Sequence, residues 1–150
     1  MLLTNTVLVF DLAAYTSAVG ILHEDNSKAL ETGRSVAETN DWPSGTQTGD
    51  VSFTDFGLDA CGITNTDADY VVAISYEIFA NYPGYNGDPE SNPVCYQQLA
   101  ISYGGKSVTV TVTDRCAACP YPDLAVTPAA FEQLADLSAG LLQDATWQWV

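Results

Sequence analysis

The sequence predicts a small barrel of mainly β structure, with one or two short helices and with disulfide bonds between its elements. Three observations support this fold class. Several short runs are rich in β-branched or aromatic residues and end at Gly, Pro or Asn. The one clear helix start comes late in the chain, at Thr127-Pro128. Four cysteines occur within 150 residues, a length at which one domain buries a sizeable core.

The first elements of this barrel follow residue 46. Residues 50–53 (DVSF) predict a short strand, and a loop follows at residues 55–59. Residues 70–75 (YVVAIS) are apolar enough to predict a strand that is buried on both faces. Residues 76–80 are expected to form one helical turn directly after that strand.

A hairpin is the clearest local prediction. Residues 81–93 contain three prolines, two glycines and three asparagines, which predict an irregular surface loop before it. Residues 99–103 and 107–113 are then joined by Gly104-Gly105, a pair that supplies the positive φ angles of a tight turn. Valine and threonine alternate along residues 108–113, so we expect the valines on one face and the threonines on the other.

The last elements are a helix and a closing strand. Thr127 is the expected N-cap and Pro128 the first-turn proline of a helix that continues through residue 135. Residues 146–150 (TWQWV) alternate again and predict a strand. Trp147 and Trp149 share a face of that strand, which is typical of core or barrel-edge residues.

The chain divides at about residue 46. Residues 1–46 are interpreted as a degraded leader or as a linker or propeptide, and residues 47–150 as the barrel domain. Residues 1–22 are mostly apolar, but Asp11 interrupts them and no Lys or Arg precedes them, so they make a poor signal peptide and a poor membrane span. The expectation that the protein is secreted and extracellular therefore depends on its cysteines.

The four cysteines are interpreted as two disulfides rather than as a zinc site. Cys116 and Cys119 form one CxxC, but Cys61 and Cys95 stand alone, whereas zinc ribbons show two such pairs. Four cysteines allow three connectivities, and the sequence does not choose among them. We prefer Cys61–Cys95 with Cys116–Cys119.

The charge limits the partners. Nineteen acidic residues oppose four basic ones, giving a formal net charge of −15. Such a chain repels the phosphates of nucleic acids and the headgroups of anionic membranes, so neither partner is expected. We expect a monomer without cofactor or metal, whose ligand is neutral or cationic. Asp67 and Asp69 could suggest calcium, but an exposed turn is the preferred interpretation.

Three segments resemble the fungal loosenins and the wider expansin-like and rare-lipoprotein-A-like barrel family. They are ACGITNT at residues 60–66, SNPVC at residues 91–95, and VTVTDRCAAC at residues 110–119. The third is the most specific, because Asp123-Leu124 and PAAF at residues 128–131 follow it in the family's order. With the WQW ending, the resemblance covers residues 49 to 150.

The resemblance implies a six-stranded double-psi β-barrel with a polysaccharide groove on its surface. Asp114 stands at the aspartate of the family's Thr-Asp-x-Cys motif. Asp123 stands where expansins and related endoglucanases have a second aspartate, which resembles the catalytic acid of the glycosidases and is needed by expansins for loosening without hydrolysis. These two carboxylates are the predicted catalytic-like residues. The expectation is that barrel closure brings them side by side.

The predicted ligand site adds Thr54, Asp55 and Tyr121 to this pair. Thr54 occupies the place where relatives carry a tyrosine, and Asp59 replaces a more usual glycine, which adds a negative charge near the groove. Asp55 is close to the position of the endoglucanases' base but is off register, so a base is not expected there. Among the loop tyrosines at residues 82, 85, 96 and 121, Tyr121 is the preferred sugar platform because it lies beside Asp123.

Three functions follow as hypotheses. The first is a secreted, non-lytic protein that binds cellulose or chitin and loosens the wall. The second is a weak glycoside hydrolase or lytic transglycosylase that uses Asp123 and Asp114. The third is a protein-binding module such as a protease inhibitor or effector. Mechanisms with a histidine base are disfavoured, since His23 is the only histidine and precedes the barrel.

Overall fold

Six strands form a closed barrel in the computed structural model, which describes residues 42–150. The strands are β1 (Gln47–Phe53), β2 (Val71–Ser75), β3 (Gln98–Tyr103), β4 (Lys106–Cys116), β5 (Leu124–Val126) and β6 (Leu141–Trp149). Their order around the barrel is β1-β5-β2-β4-β3-β6, with β1 pairing with β6 to close it. The pairs β1/β5 and β2/β4 are parallel and the other four are antiparallel. The predicted mainly β, six-stranded barrel is therefore confirmed.

Two short helices and two 3₁₀ turns connect the strands. Helix α1 (Tyr76–Asn81) follows β2 directly, and the Ser75 hydroxyl accepts a hydrogen bond from the Glu77 N–H at its start. Helix α2 (Pro128–Glu132) follows β5. The 3₁₀ turns are Pro89–Ser91 and Leu137–Ala139. The predicted leader or linker falls mainly on residues 1–41, which lie outside the described residues.

The core confirms the alternation predicted for the hairpin. Val108, Val110 and Val112 of β4 are buried, and Leu99 and Ile101 of β3 pack with them. All five residues of β2 are buried, as expected of a strand covered on both faces. Trp147 is fully buried, and Trp149 packs against the core at its edge with its ring at 5.7 Å from that of Trp147.

The alternation breaks at Thr113. The β2/β4 register passes from Val72↔Val112 to Ala73↔Asp114, so one residue of β4 is left without a partner. This bulge turns Thr113 away from the exposed face that was predicted for it, and the residue is buried. Its hydroxyl donates to the Asp59 carboxylate at 2.7 Å.

The late helix begins as predicted, with Thr127 at the N-cap position and Pro128 in the first turn. Thr127 precedes α2, but its side chain makes no capping hydrogen bond. Its hydroxyl donates instead to the Asp69 carbonyl, which ties the helix start to the loop before β2. The helix ends at Glu132, three residues earlier than predicted, because the chain turns there toward the Leu137–Ala139 turn.

Both preferred disulfides are confirmed. Cys61–Cys95 joins the loop after β1 to the segment before β3, with Cα atoms 5.8 Å apart. Cys116–Cys119 closes the turn after β4, with Cα atoms 5.3 Å apart. Across residues 42–150 there is no free cysteine and no helix long and apolar enough to cross a membrane.

Candidate functional site

Asp114 and Asp123 both lie on the outer face of the barrel. Val72 and Ile74 of β2 belong to the core, so Ala73 and Ser75 between them point outward. Asp114 is paired with Ala73, and Asp123 precedes β5 at the level of Ser75. Strand β2 therefore runs between the two aspartates.

The strand register does not place the backbones of the two aspartates at the same level of the barrel. Asp123 is level with Ser75, which pairs with Cys116, whereas Asp114 is two residues earlier on β4. Two strand spacings and two residue rises separate their backbones by about 12 Å. Each aspartate also has its own surroundings, described next.

Asp114 is tied to the loop that follows β1. Its Oδ1 accepts a hydrogen bond from the Ala60 N–H at 2.9 Å. The neighbouring Thr113 carbonyl accepts one from the Cys61 N–H at 3.0 Å. With the Cys61–Cys95 disulfide, these bonds fix the loop against the end of β4.

A pocket of about 420 Å³ opens between this loop, the Pro89–Ser91 turn and β4. We call it the Asp59 pocket. It is lined by Leu58, Asp59, Ala60, Asp88, Pro89, Glu90, Asp114 and Arg115. Four carboxylates and one guanidinium therefore face a single concave surface.

Asp59 is the one carboxylate of the pocket that is buried. It is 6% exposed, and its Oδ2 accepts hydrogen bonds from the Asn65 amide at 2.6 Å and the Thr113 hydroxyl at 2.7 Å. The sequence marked Asp59 as an extra charge near the groove but did not place it in the site. The signal was the replacement of glycine by aspartate. The partners Asn65 and Thr113 only become evident once the bulge in β4 is known.

Arg115 does not pair with these carboxylates. Its guanidinium lies 5.6 Å from the Tyr76 ring centroid and 5.8 Å from that of Phe79. Such cation–π contacts stabilise an exposed guanidinium in this position. Within residues 42–150 it makes no ion pair with a carboxylate.

Asp123 lies outside the Asp59 pocket, at the seam between β1 and β5. Its Oδ1 accepts a hydrogen bond from the Asp50 N–H at 2.9 Å. A Cβ added to Gly49 would meet this oxygen and the Pro122 carbonyl at 3.0 Å. The position next to Asp123 therefore needs a residue without a side chain.

Tyr121 presents a partly exposed ring beside Asp123. It is 41% exposed, and its hydroxyl donates to Gln47 Oε1 at 2.9 Å. The Trp42 ring lies 6.4 Å from it at a tilt of 35°. We call Trp42, Gln47, Tyr121 and Asp123 the Tyr121 surface. The sequence predicted Tyr121 beside Asp123 but did not place Trp42 in the site.

Thr54 and Asp55 join neither aspartate. Thr54 follows β1 and donates its N–H to the Val126 carbonyl at 3.0 Å, at the far end of β5 from Asp123. Three residues of β1 lie between it and Asp50, which puts the two Cα atoms about 13 Å apart along the strand. Both residues are exposed. The predicted ligand residues are thus divided among three places on the barrel.

The other aromatic candidates are distributed differently. Tyr82 is buried in the core, which corrects its interpretation as a loop residue available to sugar. Tyr85 packs against the core edge-on to Phe79, with ring centroids 5.7 Å apart. Tyr96 is exposed, and its hydroxyl donates to the Cys61 carbonyl at 3.2 Å.

The segment with Asp67 and Asp69 forms an exposed turn. The Asp69 carboxylate accepts hydrogen bonds from the Thr66 N–H at 2.7 Å and the Thr66 hydroxyl at 2.9 Å, and these bonds lower the pKa of Asp69. Asp67 Oδ1 accepts one from the Phe56 N–H. In residues 42–150 no group of three His, Cys, Asp or Glu side chains is arranged to hold a metal ion.

Comparisons with known proteins agree with this architecture. Residues 84–143 match a double-psi β-barrel family model described as lytic transglycolase. The chain is 41% identical over 87 residues to the allergen Asp f 7 homolog of Arthroderma benhamiae, covering 58% of this chain and 28% of that protein. It is 35% identical over 100 residues to the papain inhibitor of Streptomyces mobaraensis, covering 65% of this chain and 66% of that protein.

Solved structures show the same barrel. The Streptomyces papain inhibitor has a TM-score of 0.64 at 29% identity, over 71% of this chain and 94% of that one. A mutant expansin of Clavibacter michiganensis in complex with cellohexaose has a TM-score of 0.57 at 22% identity, over 71% of this chain and 50% of that one. The chain thus spans between 28% and 66% of the lengths of its curated relatives.

Proposed function

Because the chain carries a double-psi β-barrel domain of the rare-lipoprotein-A-like kind, we propose that it binds a neutral wall glycan, cellulose or chitin, without cutting it. The ligand lies across the Tyr121 surface, at the seam between β1 and the segment that leads into β5. Two disulfides support a place outside the cell, where such glycans occur.

The observation that carries this proposal is the Tyr121 surface. A pyranose ring has an apolar face that packs flat on an aromatic ring, and Tyr121 offers one that its own hydrogen bond to Gln47 holds in place. Asp123 beside it keeps Oδ2 available to sugar hydroxyls, since only Oδ1 is engaged by the Asp50 N–H.

The separate surroundings of the two aspartates support binding rather than hydrolysis. A glycosidase needs two carboxyl groups that flank one bond. Asp114 is bonded to the loop after β1 and lines the Asp59 pocket, whereas Asp123 is bonded to strand β1 and lies outside that pocket. The protein then acts by competition, because a chain held on the barrel is more easily parted from its neighbour.

A binding assay with simultaneous measurement of released sugar tests the proposal. We expect the protein to sediment with insoluble cellulose or chitin and to release no reducing ends. Tyr121→Ala should weaken binding about tenfold through loss of the ring, while Tyr121→Phe should weaken it less, since it keeps the ring and loses only the hydrogen bond to Gln47. Tyr70→Ala is the matched control, since Tyr70 is exposed to a similar extent at the start of β2.

Two results would contradict this function. Unchanged binding by Tyr121→Ala would remove the Tyr121 surface from it. Steady release of soluble oligosaccharide that Asp123→Asn abolishes would favour the alternative of a weak hydrolase or lytic transglycosylase.

A second candidate is inhibition of a papain-like peptidase. It is favoured by the similarity to the Streptomyces papain inhibitor and by the loop after β1. Leu58 is 79% exposed and Ile63 is 36% exposed on this loop, where Leu58 pairs with Thr64 and the Cys61–Cys95 disulfide holds the base. A rigid exposed apolar loop binds a peptidase cleft with little loss of entropy.

Papain activity on a small peptide substrate tests this candidate. Leu58→Asp should abolish inhibition if the loop enters the cleft, whereas Leu141→Asp, at another exposed leucine, should leave it intact. Absence of inhibition by the parent protein at micromolar concentration would eliminate it.

A further inference from the structure

The Asp59 pocket has an unbalanced charge. Asp59, Asp88, Glu90 and Asp114 line it, and Arg115 is the only cation among its lining residues. Arg115 offsets one charge formally, but its guanidinium rests on the Tyr76 and Phe79 rings rather than on a carboxylate. A cation in the pocket would therefore meet carboxylates that no side chain of the described barrel already neutralises by contact.

An unpaired oxygen on the largely buried Asp59 side chain points to a ligand here more strongly than the charge does. Asp59 is more than nine-tenths buried, and both of its hydrogen bonds go to Oδ2. Oδ1 has no partner, yet residues 42–150 contain no buried side-chain oxygen that lacks a hydrogen bond. Oδ1 must therefore be open to the pocket that Asp59 lines, where it is ready to accept a donor.

Among the other carboxylates of the pocket, some oxygens already accept hydrogen bonds from the protein and some remain available to a ligand. Asp88 is committed to its own turn, since its oxygens accept from the Glu90 N–H at 3.2 Å and the Ser91 hydroxyl at 2.6 Å. Asp114 uses Oδ1 for the Ala60 N–H and keeps Oδ2 free. Asp59 and Asp114 thus offer two acceptor oxygens from neighbouring parts of one wall, an arrangement that suits a group with several N–H donors.

The size of the pocket suits a sugar unit. A volume of about 420 Å³ is in the range of sites for small molecules, and exceeds what a bare ammonium ion needs. The exposed Leu58 side chain at the rim supplies an apolar contact for a pyranose face. The ligand expected from these features is a hexose that bears an ammonium group.

We propose that the Asp59 pocket binds the ammonium group of a glucosamine unit, so that the protein prefers chitosan, the deacetylated form of chitin. The inference rests on the proposed glycan binding and names its substrate class. An ammonium donates three hydrogen bonds to carboxylate oxygens, whereas the acetamide of chitin is neutral and donates only one.

The experiment compares chitosan beads with chitin and cellulose particles. We expect binding to chitosan to be at least about tenfold tighter than to chitin, and to weaken as salt rises from about 0.05 M to about 1 M while binding to chitin changes little. Asp59→Asn should reduce binding to chitosan about tenfold, because the amide can still accept from Asn65 and Thr113 but turns its NH₂ toward the pocket.

Two further variants keep the test decisive. Glu90→Gln removes a pocket charge at an exposed side chain, so it should weaken chitosan binding even if Asp59→Asn proves unstable. Glu132→Gln makes the same charge change at an exposed glutamate of α2, outside the pocket and the Tyr121 surface, and should leave the preference for chitosan over chitin unaltered.

The outcomes separate this inference from the proposed function. Equal binding to chitin and chitosan, or a preference that Asp59→Asn and Glu90→Gln leave intact, overturns the inference while glycan binding stands. Binding to chitosan that depends on Asp59 but not on Tyr121 overturns the proposed surface and supports the pocket. Binding to polylysine as tight as that to chitosan also overturns the inference, since the pocket would then recognise a cationic peptide.

Discussion

The Asp59 pocket and the Tyr121 surface are built around the same small device, an aspartate that accepts one backbone N–H. Asp114 accepts from Ala60 and Asp123 from Asp50, both at 2.9 Å. The neighbouring side chains differ. Three further carboxylates line the Asp59 pocket beside Asp114, whereas two aromatic rings lie beside Asp123 on the Tyr121 surface. An aspartate with the same backbone hydrogen bond is thus suited to binding a cation in the Asp59 pocket and a neutral sugar ring on the Tyr121 surface.

The two regions also differ in how they are held. The Asp59 pocket depends on a loop that is joined to the barrel by a disulfide and by a few hydrogen bonds. The Tyr121 surface lies on the β1/β5 seam, where Trp147 Nε1 donates to the Pro122 carbonyl at 3.0 Å from within the core. Perturbing the loop should therefore affect one region without the other.

Removing the Cys61–Cys95 disulfide should have the largest effect on stability. This bond spans 34 residues, and its loss through Cys61→Ala with Cys95→Ala should lower the free energy of unfolding by about 4 kcal/mol. The Cys116–Cys119 pair spans 3 residues, so the matching double variant should cost about 2 kcal/mol. Urea unfolding measures both. If the Cys61–Cys95 disulfide supports the Asp59 pocket but not the Tyr121 surface, the variant without it should remain folded and bind cellulose. It should lose its preference for chitosan.

Asp59→Ala should be the next largest change. Asn65 and Thr113 both donate to this carboxylate, and its removal leaves two buried donors without an acceptor, at a cost of about 3 kcal/mol. Asp59→Asn should recover most of this loss because its carbonyl oxygen still accepts. Equal unfolding free energies for Asp59→Ala and Asp59→Asn would show that the hydrogen bonds to Asp59 do not support the loop.

Most of the fold could be predicted from the sequence because it depends on local patterns. Alternation along β4, the Gly104-Gly105 turn and the apolar β2 each specify their element directly. The arrangement of the site could not, because it depends on register between distant strands. One bulge after Val112, where β4 pairs with β2, buries Thr113 and gives Asp59 one of its two hydrogen-bond donors. Nothing in the run of alternating threonines indicates this bulge.

The predicted ligand residues failed to converge for a similar reason. Thr54, Asp114 and Asp123 are all near strand ends, but β5 runs parallel to β1, which places Thr54 at the end opposite Asp123. The nearness of Tyr121 to Asp123 could be predicted because only Pro122 stands between them in the sequence. Local neighbours can be inferred from spacing, whereas neighbours across three strands require the barrel order.

Gly49→Ala tests whether the position of Asp123 on the Tyr121 surface matters for binding. The new methyl would lie 3.0 Å from Asp123 Oδ1 and from the Pro122 carbonyl, both held by hydrogen bonds, so we expect a loss of about 1–2 kcal/mol in unfolding free energy. The strain should also displace Asp123 and weaken cellulose binding. Gly57→Ala is the control, since its Cβ would meet no atom within 4 Å. A Gly49→Ala protein that binds cellulose as the parent does would show that the position of Asp123 is not needed.

The smallest expected effect is on the loss of folding stability at acid pH. Any pH dependence of ligand binding at either region must be compared with this loss. Hydrogen bonds from the Thr66 N–H and hydroxyl lower the pKa of Asp69, and those from Ser138 lower the pKa of Asp136. A carboxyl with a lower pKa in the folded chain stabilises the fold at pH values above its unfolded pKa, about 3.9 for aspartate.

That contribution is lost as pH falls through the folded pKa. The urea midpoint of the parent should therefore fall between pH 5 and about pH 2.5, and Asp69→Asn and Asp136→Asn should each make this fall slightly shallower. Because both carboxylates are fully exposed, each change should be small, and the double variant should show their sum. A fall as steep in the double variant as in the parent would locate the acid sensitivity elsewhere. Single replacements of the Asp59 pocket's carboxylates by their amides, followed by the same urea midpoints across pH, would then be the next experiment.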